Sequence, residues 1–395
     1  MNGPMFSNGT PSTSPYFGSG QALILNGVNQ SFTVPSPFLP LNSTSFTIEA
    51  WIFPSLITSD RGIFGQCQCS TCANQCLYFI CRGGRLFVDF TLNDLTGSTT
   101  LITNLWHHVA FVYNYQTQQQ ILYVNGVQDA IKSHAASYQG VNASIQIGST
   151  LAFGTTNFFS GLIDNVWITT RAKTSDEILW DASLIVYFSF DLPNPNADNG
   201  PNKLSGNALN TITATGRVNQ AMRFTGILSY FQMYGLYQVP TGVAINRPFS
   251  VSLWINPSGS GTSTFLQLFS FSPLRCANLL GIVSGGGITG QIFVQSANTV
   301  PATLTGPFVT QNVWTHLSVT YSPSNGYSLY FNGVYFGASG NVTYQSSGTL
   351  GTLFVGYFNN CVSASYNSPY QGSIDEVYVH NRELTQADVT VLFNP

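Results

Sequence analysis

The chain carries one long pattern twice, and this duplication constrains its fold more than any other feature of the sequence. The hexapeptide LYVNGV at residues 122–127 returns as LYFNGV at residues 329–334. The segments around it return in the same order, about two hundred residues further on. Solenoid repeats have far shorter periods, so the pattern predicts two similar domains in tandem within the 395 residues.

Four segments in fixed order define each copy. Short runs of alternating apolar residues, separated by Gly, Asn, Ser and Pro, predict β-strands throughout. The Asn-Gly pair of the hexapeptide predicts a hairpin with a type I′ turn, because that turn needs positive φ at both central residues. The matched ranges are 46–55 with 249–258, 106–113 with 314–321, 122–127 with 329–334, and 161–166 with 372–377.

In the first matched strand, alternate side chains point to two different faces of the sheet. Apolar residues alternate along 46–52 and 249–255 and predict the core of a sandwich. Trp51 and Trp254 fall on the opposite face, where they are either covered by loops or exposed on a concave sheet.

Helices are predicted only at two short capped segments, 174–178 and 385–389, where a Thr precedes an acidic first turn. A chain of many short strands with so little helix is all-β, and it predicts a two-sheet sandwich or jelly roll in each half.

Composition excludes several classes of protein. Charged residues are 7% of the chain and the net charge is −3 without a basic run, which argues against nucleic acid as a partner. No apolar run approaches the roughly 18–20 residues of a membrane span. The first ten residues, MNGPMFSNGT, lack the pattern of a signal peptide, so such a peptide was either removed or never part of this chain.

The order F-x-x-[ES]-x-W-I-x-P, W-x-H-[VL]-x-x-x-Y, L-Y-x-N-G-V and G-x-I-D-[NE]-V resembles the laminin G-like, concanavalin A-like jelly roll. The resemblance covers both halves and implies an all-β fold of two tandem concanavalin A/laminin G-like jelly-roll sandwiches. Members of that family include lectins, adhesion modules, pentraxin-like proteins and domains appended to enzymes, so the fold does not fix the function.

The two halves differ at their starts. We expect an N-terminal arm at 1–19, a first jelly roll at 20–182 and a second at 183–395. The second opens with LIVYFSFD, which resembles the first strand of the family's sandwich, whereas the arm is rich in turn residues. The first domain therefore lacks or borrows a strand, or the chain is cut from a longer array. We expect residues 1–20 to lie against another copy or against the second domain.

Five of the seven cysteines lie within residues 67–81. A zinc ribbon needs two knuckles further apart, and a redox Cys-x-x-Cys needs a βαβ setting, so metal is the weaker alternative to local disulfides in an oxidising compartment. We expect two bridges of open pairing among the first four, and Cys81 as an unpaired buried thiol. The expected disulfide cysteines are Cys67, Cys69, Cys72, Cys76, Cys276 and Cys361, the last two paired with each other.

Asn-x-Ser/Thr sequons predict attached glycan in a disulfide-bearing chain. They begin at Asn8, Asn29, Asn42, Asn142 and Asn341.

Chemistry at a metal or a catalytic centre has little support in the sequence. The family resemblance implies calcium as the only candidate cofactor, with Asp164 and Asp375 as weak candidate ligands; both are expected to bond to backbone instead. A glycosidase needs paired carboxylates, and the acidic residues Glu49, Asp60, Asp89 and Asp94 are isolated from one another along the strands. His108 and His316 recur two residues after a Trp and are expected to be packed structural histidines.

The sequence therefore predicts a secreted, non-catalytic, glycosylated structural or adhesion protein that assembles into filaments or arrays. The alternative is a lectin-like, carbohydrate-binding module of a larger extracellular protein. The expected partners are other copies of the chain or extracellular proteins and glycans.

Overall fold

A computed structural model describes the backbone of residues 5–7, 10–12, 21–34, 39–154, 156–226, 228–240, 242–243, 245–259, 261–271, 274–285, 289–295, 303–344, 346–356 and 368–395. The chain divides into two compact units between Ala182 and Ser183. Each unit is a β-sandwich with one short helix at its end.

The first unit has fourteen strands in its described part. They are β1 Met5–Ser7, β2 Thr10–Ser12, β3 Ala22–Asn26, β4 Ser31–Val34, β5 Phe46–Pro54, β6 Arg61–Cys67, β7 Cys76–Arg82, β8 Arg85–Asp89, β9 Leu95–Thr96, β10 His107–Asn114, β11 Gln119–Val124, β12 Val127–Lys132, β13 Ile145–Ile147 and β14 Ser160–Thr169. A 3₁₀ turn at Leu151–Phe153 and helix α1 at Ser175–Ser183 complete it.

The second unit has fifteen strands in its described part and ends with helix α2 at Gln386–Phe393. The strands are β15 Leu184–Phe188, β16 Gly206–Leu209, β17 Thr211–Thr215, β18 Gln220–Thr225, β19 Tyr230–Leu236, β20 Phe249–Pro257, β21 Ser263–Phe271, β22 Leu274–Ser284, β23 Thr289–Gln295, β24 Thr303–Thr310, β25 Thr315–Ser322, β26 Gly326–Phe331, β27 Val334–Ala338, β28 Gly351–Val355 and β29 Gln371–His380.

Two antiparallel sheets face each other in each unit. Among the described residues, the first unit has the orders β1-β4-β13-β6-β7-β8-β9 and β12-β11-β10-β5-β14-β3-β2. The second repeats them as β16-β19-β28-β21-β22-β23-β24 and β27-β26-β25-β20-β29-β18-β17, with β15 pairing β29 beside β18. The predicted all-β fold of two jelly rolls is therefore confirmed.

The predicted core face is the one that is buried. Phe46, Ile48, Ala50 and Ile52 are fully excluded from solvent and belong to one apolar cluster between the two sheets. Burying such apolar area contributes about 25 cal/mol per Å², which makes this cluster the main stabilising element of the first unit.

The two helices begin where the Thr caps predicted them. The side chain of Thr385 accepts the N–H of Asp388, and the Asp388 carboxylate accepts the N–H of Thr385, which forms a reciprocal capping box. Thr174 and Glu177 exchange the same two hydrogen bonds ahead of α1. Each helix covers the outer face of the sheet that contains the hairpin of its unit.

The arm does not lie where we expected it. Its described strands close the sheets of the first unit itself: β1 pairs with β4 and β2 pairs with β3. These are the places that β16 and β17 take in the second unit. The expectation that this segment docks on the second domain is wrong for the described residues, because pairing with β3 and β4 satisfies backbone groups at two open edges nearby. Docking of the segment on another copy stays a prediction.

Candidate functional site

The outer face of the hairpin sheet is a buried polar layer in the first unit. Lys173 Nζ forms ion pairs with Glu49 and, at 2.7 Å, with Asp181 of α1. His108 Nε2 lies 3.6 Å from Glu49 Oε1. Burial raises the pKa of Glu49 to about 7, against the opposing effect of Lys173, and burial lowers the pKa of His108 to about 3.

The same layer carries hydroxyl groups in place of charges in the second unit. Ser252 takes the position of Glu49 and bonds to His316 Nε2 and to Ser318, each at 2.8 Å. Trp254 is 3% exposed, stacks on Phe393 of α2 and lies under the guanidinium of Arg217. Trp51 is 5% exposed. Both tryptophans are therefore covered.

This layer does not resemble an active site. Glu49 is 3% exposed and His108 is also 3% exposed, so a substrate cannot reach them. His316 is fully buried, and burial lowers its pKa to about 3. The two recurring histidines thus stay neutral at physiological pH inside the fold, where they pack edge-on against Trp51 and tilted against Trp254.

The cysteine-rich loop is closed by disulfides. Cys67 bonds to Cys76, Cys69 bonds to Cys72, and Cys81 is a buried free thiol whose pKa is raised by burial to about 12. Cys276 is disulfide-bonded, and its expected partner Cys361 lies outside the described residues.

A cluster of aromatic rings lies on the outer face of β7 and β8 beside that loop. The guanidinium of Arg82 lies 3.9 Å from the ring centre of Phe87 and bonds twice to Asp60, at 2.9 and 2.7 Å. The Tyr78 hydroxyl donates to Asp89 at 2.6 Å. Because these polar groups already have partners within the cluster, they are committed to holding the sheet and the loop together.

The two candidate calcium ligands each bond to the backbone, as expected for a structural role. The Asp375 carboxylate accepts backbone N–H groups from Arg217 at 2.7 Å and Val218 at 3.0 Å. Asp164 accepts the N–H of Asn165 at 2.8 Å. Within the described residues no three Asp, Glu, His or Cys side chains converge as metal ligands. Both carboxylates therefore act as acceptors for backbone N–H groups in this structure.

The sequon asparagines differ in exposure. Asn29, Asn142 and Asn341 are exposed and Asn42 is half-buried. Asn8 lies outside the described residues.

An uncharged face with unused polar groups lies on β16 and β19 of the second unit. Phe231 and Met233 point into the core, at 0% and 1% exposure, so strand alternation places Tyr230, Gln232 and Tyr234 on the outer face. Tyr234 is 51% exposed and Tyr230 is half-buried. We call these three residues, with Asn207 opposite Gln232 on β16, the amide–aromatic face.

Three of the four side chains of this face have polar groups without a protein partner among the described residues. In the described part of the chain, the side chains of Asn207, Gln232 and Tyr234 make no hydrogen bond within the protein. The ring of Tyr230 is fixed edge-on against Phe354 of β28, with centroids 5.9 Å apart. Amides that can donate and accept, beside ring faces, suit the hydroxyls and C–H faces of a sugar.

The first unit lacks this face. Thr33 and Gln146 occupy the positions of Gln232 and Phe354 in the strand pairs that correspond. We did not single out this site from the sequence, although the alternation Tyr-Phe-Gln-Met-Tyr at 230–234 is a signal that could have indicated it.

The described residues contain no helix long and apolar enough to cross a membrane. No curated protein matches the chain.

Several solved structures are similar at low identity. Domain 4 of AbnA, a GH43 extracellular arabinanase from Geobacillus stearothermophilus, in complex with arabinotriose, is 22% identical; 53% of this chain and 97% of that chain are covered, with a TM-score of 0.40. Mouse laminin alpha1 chain domains LG4-5 are 13% identical over 91% of this chain and 90% of that chain, with a TM-score of 0.30.

The family model described as the concanavalin A-like lectin/glucanases superfamily, Laminin_G_3, matches residues 26–179 and again residues 206–390. These two ranges fall one in each compact unit and together span most of the chain. The chain therefore belongs to the concanavalin A-like lectin/glucanase superfamily and consists of two laminin G-like domains in tandem.

Proposed function

We propose that this protein is a non-catalytic extracellular adhesion module whose second domain binds carbohydrate through the amide–aromatic face. The observation that carries the proposal is the set of unused side-chain groups of Asn207, Gln232 and Tyr234 beside the ring of Tyr230. A neutral face of this kind favours a neutral sugar over an anionic ligand, because no charged side chain lies on these outward positions of β16 and β19.

The extracellular location is supported by the disulfides Cys67–Cys76 and Cys69–Cys72, since such bridges persist in oxidising compartments. Exposed sequons at Asn29, Asn142 and Asn341 agree with glycosylation during secretion. The burial of Glu49 and His108 supports a non-catalytic role.

A glycan array probed with the full chain tests the carbohydrate proposal. We expect binding to a restricted set of glycans, and we expect Tyr234→Ala to weaken binding to the best of them about tenfold, or about 1.4 kcal/mol. Tyr115→Ala is the matched control, because Tyr115 is a comparably exposed tyrosine (44%) in the first domain. A chain that binds no glycan, or that binds equally well without the Tyr234 ring, would overturn the proposal.

A second candidate function is self-association, which the prediction of filaments or arrays requires. It is favoured by a different observation, an incompletely paired strand in the first domain.

A further inference from the structure

The second half of strand β14 has a neighbouring strand on one side and none on the other in the described part of the chain. Toward β5, Trp167 lies opposite Glu49 and Thr169 opposite Thr47. On the other side, β3 pairs with β14 only from Ser160 to Ile163. Among the described residues, no strand lies beside 167–169 on that side.

The second domain shows what closes this edge. There β15 pairs with the equivalent half of β29, with Tyr187 opposite Tyr378 and Phe188 opposite Val377. The rings of Tyr187 and Tyr378 stack with centroids 4.2 Å apart and planes 5° from parallel. Both hydroxyls donate to Glu376, at 2.9 and 2.7 Å.

Without such a strand, the corresponding residues of the first domain stay exposed. Trp167 aligns with Tyr378, each three residues after the aspartate of the matched G-x-I-D, and Trp167 is 44% exposed where Tyr378 is 8% exposed. Val166 is half-buried, whereas its counterpart Val377 is fully buried. The edge is apolar and unprotected, a condition that proteins normally avoid.

An edge strand of the second domain, β27, has a sequence similar to that of β15. β27 pairs only with β26 in the described chain, and it begins Val334-Tyr335-Phe336, the same tripeptide as Val186-Tyr187-Phe188 of β15. Val334 is 66% exposed, Tyr335 50% and Phe336 47%.

The corresponding strand of the first domain is protected. β12 carries Asp129, whose carboxylate accepts the N–H groups of Ser98 and Thr99, and it ends at Lys132. Charges of this kind discourage pairing at an edge. β27 carries no charged side chain. Gln386 of α2 accepts the N–H of Tyr335 at 3.1 Å, and an incoming strand would replace this hydrogen bond.

We propose that the open edge of β14 at 167–169 accepts β27 of a second copy of this chain as an added antiparallel strand. Tyr335 of that copy then stacks on Trp167 as Tyr187 stacks on Tyr378. The inference rests on the self-association candidate of the proposed function and names its two surfaces. Acceptor and donor lie in different domains, so a pair of copies keeps one free β14 edge and one free β27. The contact is therefore heterologous and propagates.

Two charge variants of the full chain test this pairing. Sedimentation velocity over a hundredfold range of concentration should show the wild type growing beyond one protomer, while Trp167→Glu alone and Tyr335→Glu alone remain monomeric. An equimolar mixture of the two variants should form dimers and nothing larger, because one supplies an intact β27 and the other an intact β14 edge. Val127→Glu is the control: Val127 is 66% exposed at the equivalent hairpin of the first domain, and this variant should assemble as the wild type does.

A wild type that stays monomeric, single variants that still assemble, or a mixture that fails to dimerise would each overturn the proposal. Val334→Asp, at another exposed position of β27, replaces Tyr335→Glu if that variant does not fold by circular dichroism. Glycan binding should be unchanged in Trp167→Glu, so failure of this inference is distinguishable from failure of the carbohydrate proposal.

Discussion

At the scale of single residues, the repeated hexapeptide has a structural role: its asparagine bonds to the backbone of the histidine on the neighbouring strand. Asn332 Oδ1 accepts the backbone N–H of His316 at 3.0 Å, and its own N–H donates to the His316 carbonyl at 2.9 Å. Asn125 and His108 make the same pair of bonds in the first domain. The Asn-Gly turn and the Trp-x-His strand therefore recur as a unit, because each turn is bonded to the histidine of its neighbouring strand.

The turn requires a glycine because its φ is positive and because helix α2 lies close to it. A pair of variants separates these two effects. Gly333 has φ 78° and a Cβ there would lie 2.8 Å from the Phe393 ring of α2; Gly340 has φ 77° with open space around it. We expect Gly340→Ala to lower the free energy of unfolding by about 1 kcal/mol through backbone strain alone. Gly333→Ala should cost about 1–3 kcal/mol more, because the helix must shift.

Chemical denaturation of the full chain measures both changes in the transition of the second domain. Equal effects of the two substitutions would show that packing under α2 does not require this glycine.

At the scale of elements, the two domains stabilise the same interface between sheet and helix by different means. The first places Glu49 and Lys173 where the second has Ser252 and Leu384. Thr47 and Ser250 play the same part in both, each bonding to the backbone of the segment that leads into the helix. The second domain thus keeps these hydrogen bonds without the buried pair that Glu49 and Lys173 form in the first.

Stability of the first domain should therefore depend on pH through Glu49. Its pKa is raised by burial from 4.5 to about 7, so between these values the folded state binds a proton that the unfolded state has lost. This contribution is present below pH 4.5 and is lost as pH rises to about 7, a decrease of about 3 kcal/mol at most. We expect Glu49→Gln to remove this decrease, as measured by thermal unfolding of the first domain at pH 4.5 to 8.

The second domain serves as the control for this prediction. Burial raises the pKa of its Asp375 to about 7, so its stability should also depend on pH. Glu49→Gln should leave the pH dependence of that domain's transition unchanged. A decrease that persists in the first domain of the variant would assign it to another group.

The elements that sequence reasoning found are those with local signals. Alternation located the core face around Phe46, and Thr caps located the helices at Thr174 and Thr385. The strands of the arm were missed because Met5–Ser7 and Thr10–Ser12 have no alternating pattern, and only the open edges of β3 and β4 make them strands. The pairing of Lys173 with Glu49 was missed because the two residues are far apart in sequence.

At the scale of the whole molecule, β15 is the one described strand of the second domain that has no counterpart among the described strands of the first. The family model begins its second match at residue 206 and so leaves this strand outside the repeated unit. Leu184, Val186 and Phe188 of β15 are nevertheless fully or almost fully buried. Burying each such side chain contributes about 1.5–3 kcal/mol, so β15 is an addition that the second domain depends on.

Two fragments test that dependence and the proposed domain boundary together. We expect residues 183–395 to unfold in one cooperative transition at the temperature of the second domain in the full chain, because every described strand of that domain is retained. Residues 206–395 should unfold several degrees lower and bind more of a dye for exposed apolar surface. Fragments of equal thermal stability would show that β15 contributes little.

Of the two outer hairpin strands, β27 is open to pairing and β12 is protected. A row of copies joined through β27 and the β14 edge would therefore have a polarity. One end of such a row would present only Trp167 and the other only Val334–Phe336, so the two ends would be chemically distinct. Subunits would then join and leave the two ends at different rates, and a molecule that covers one end would stop growth there without affecting the other. The length of a row would be governed by its ends, whereas its cohesion would be governed by the repeated contact between strands.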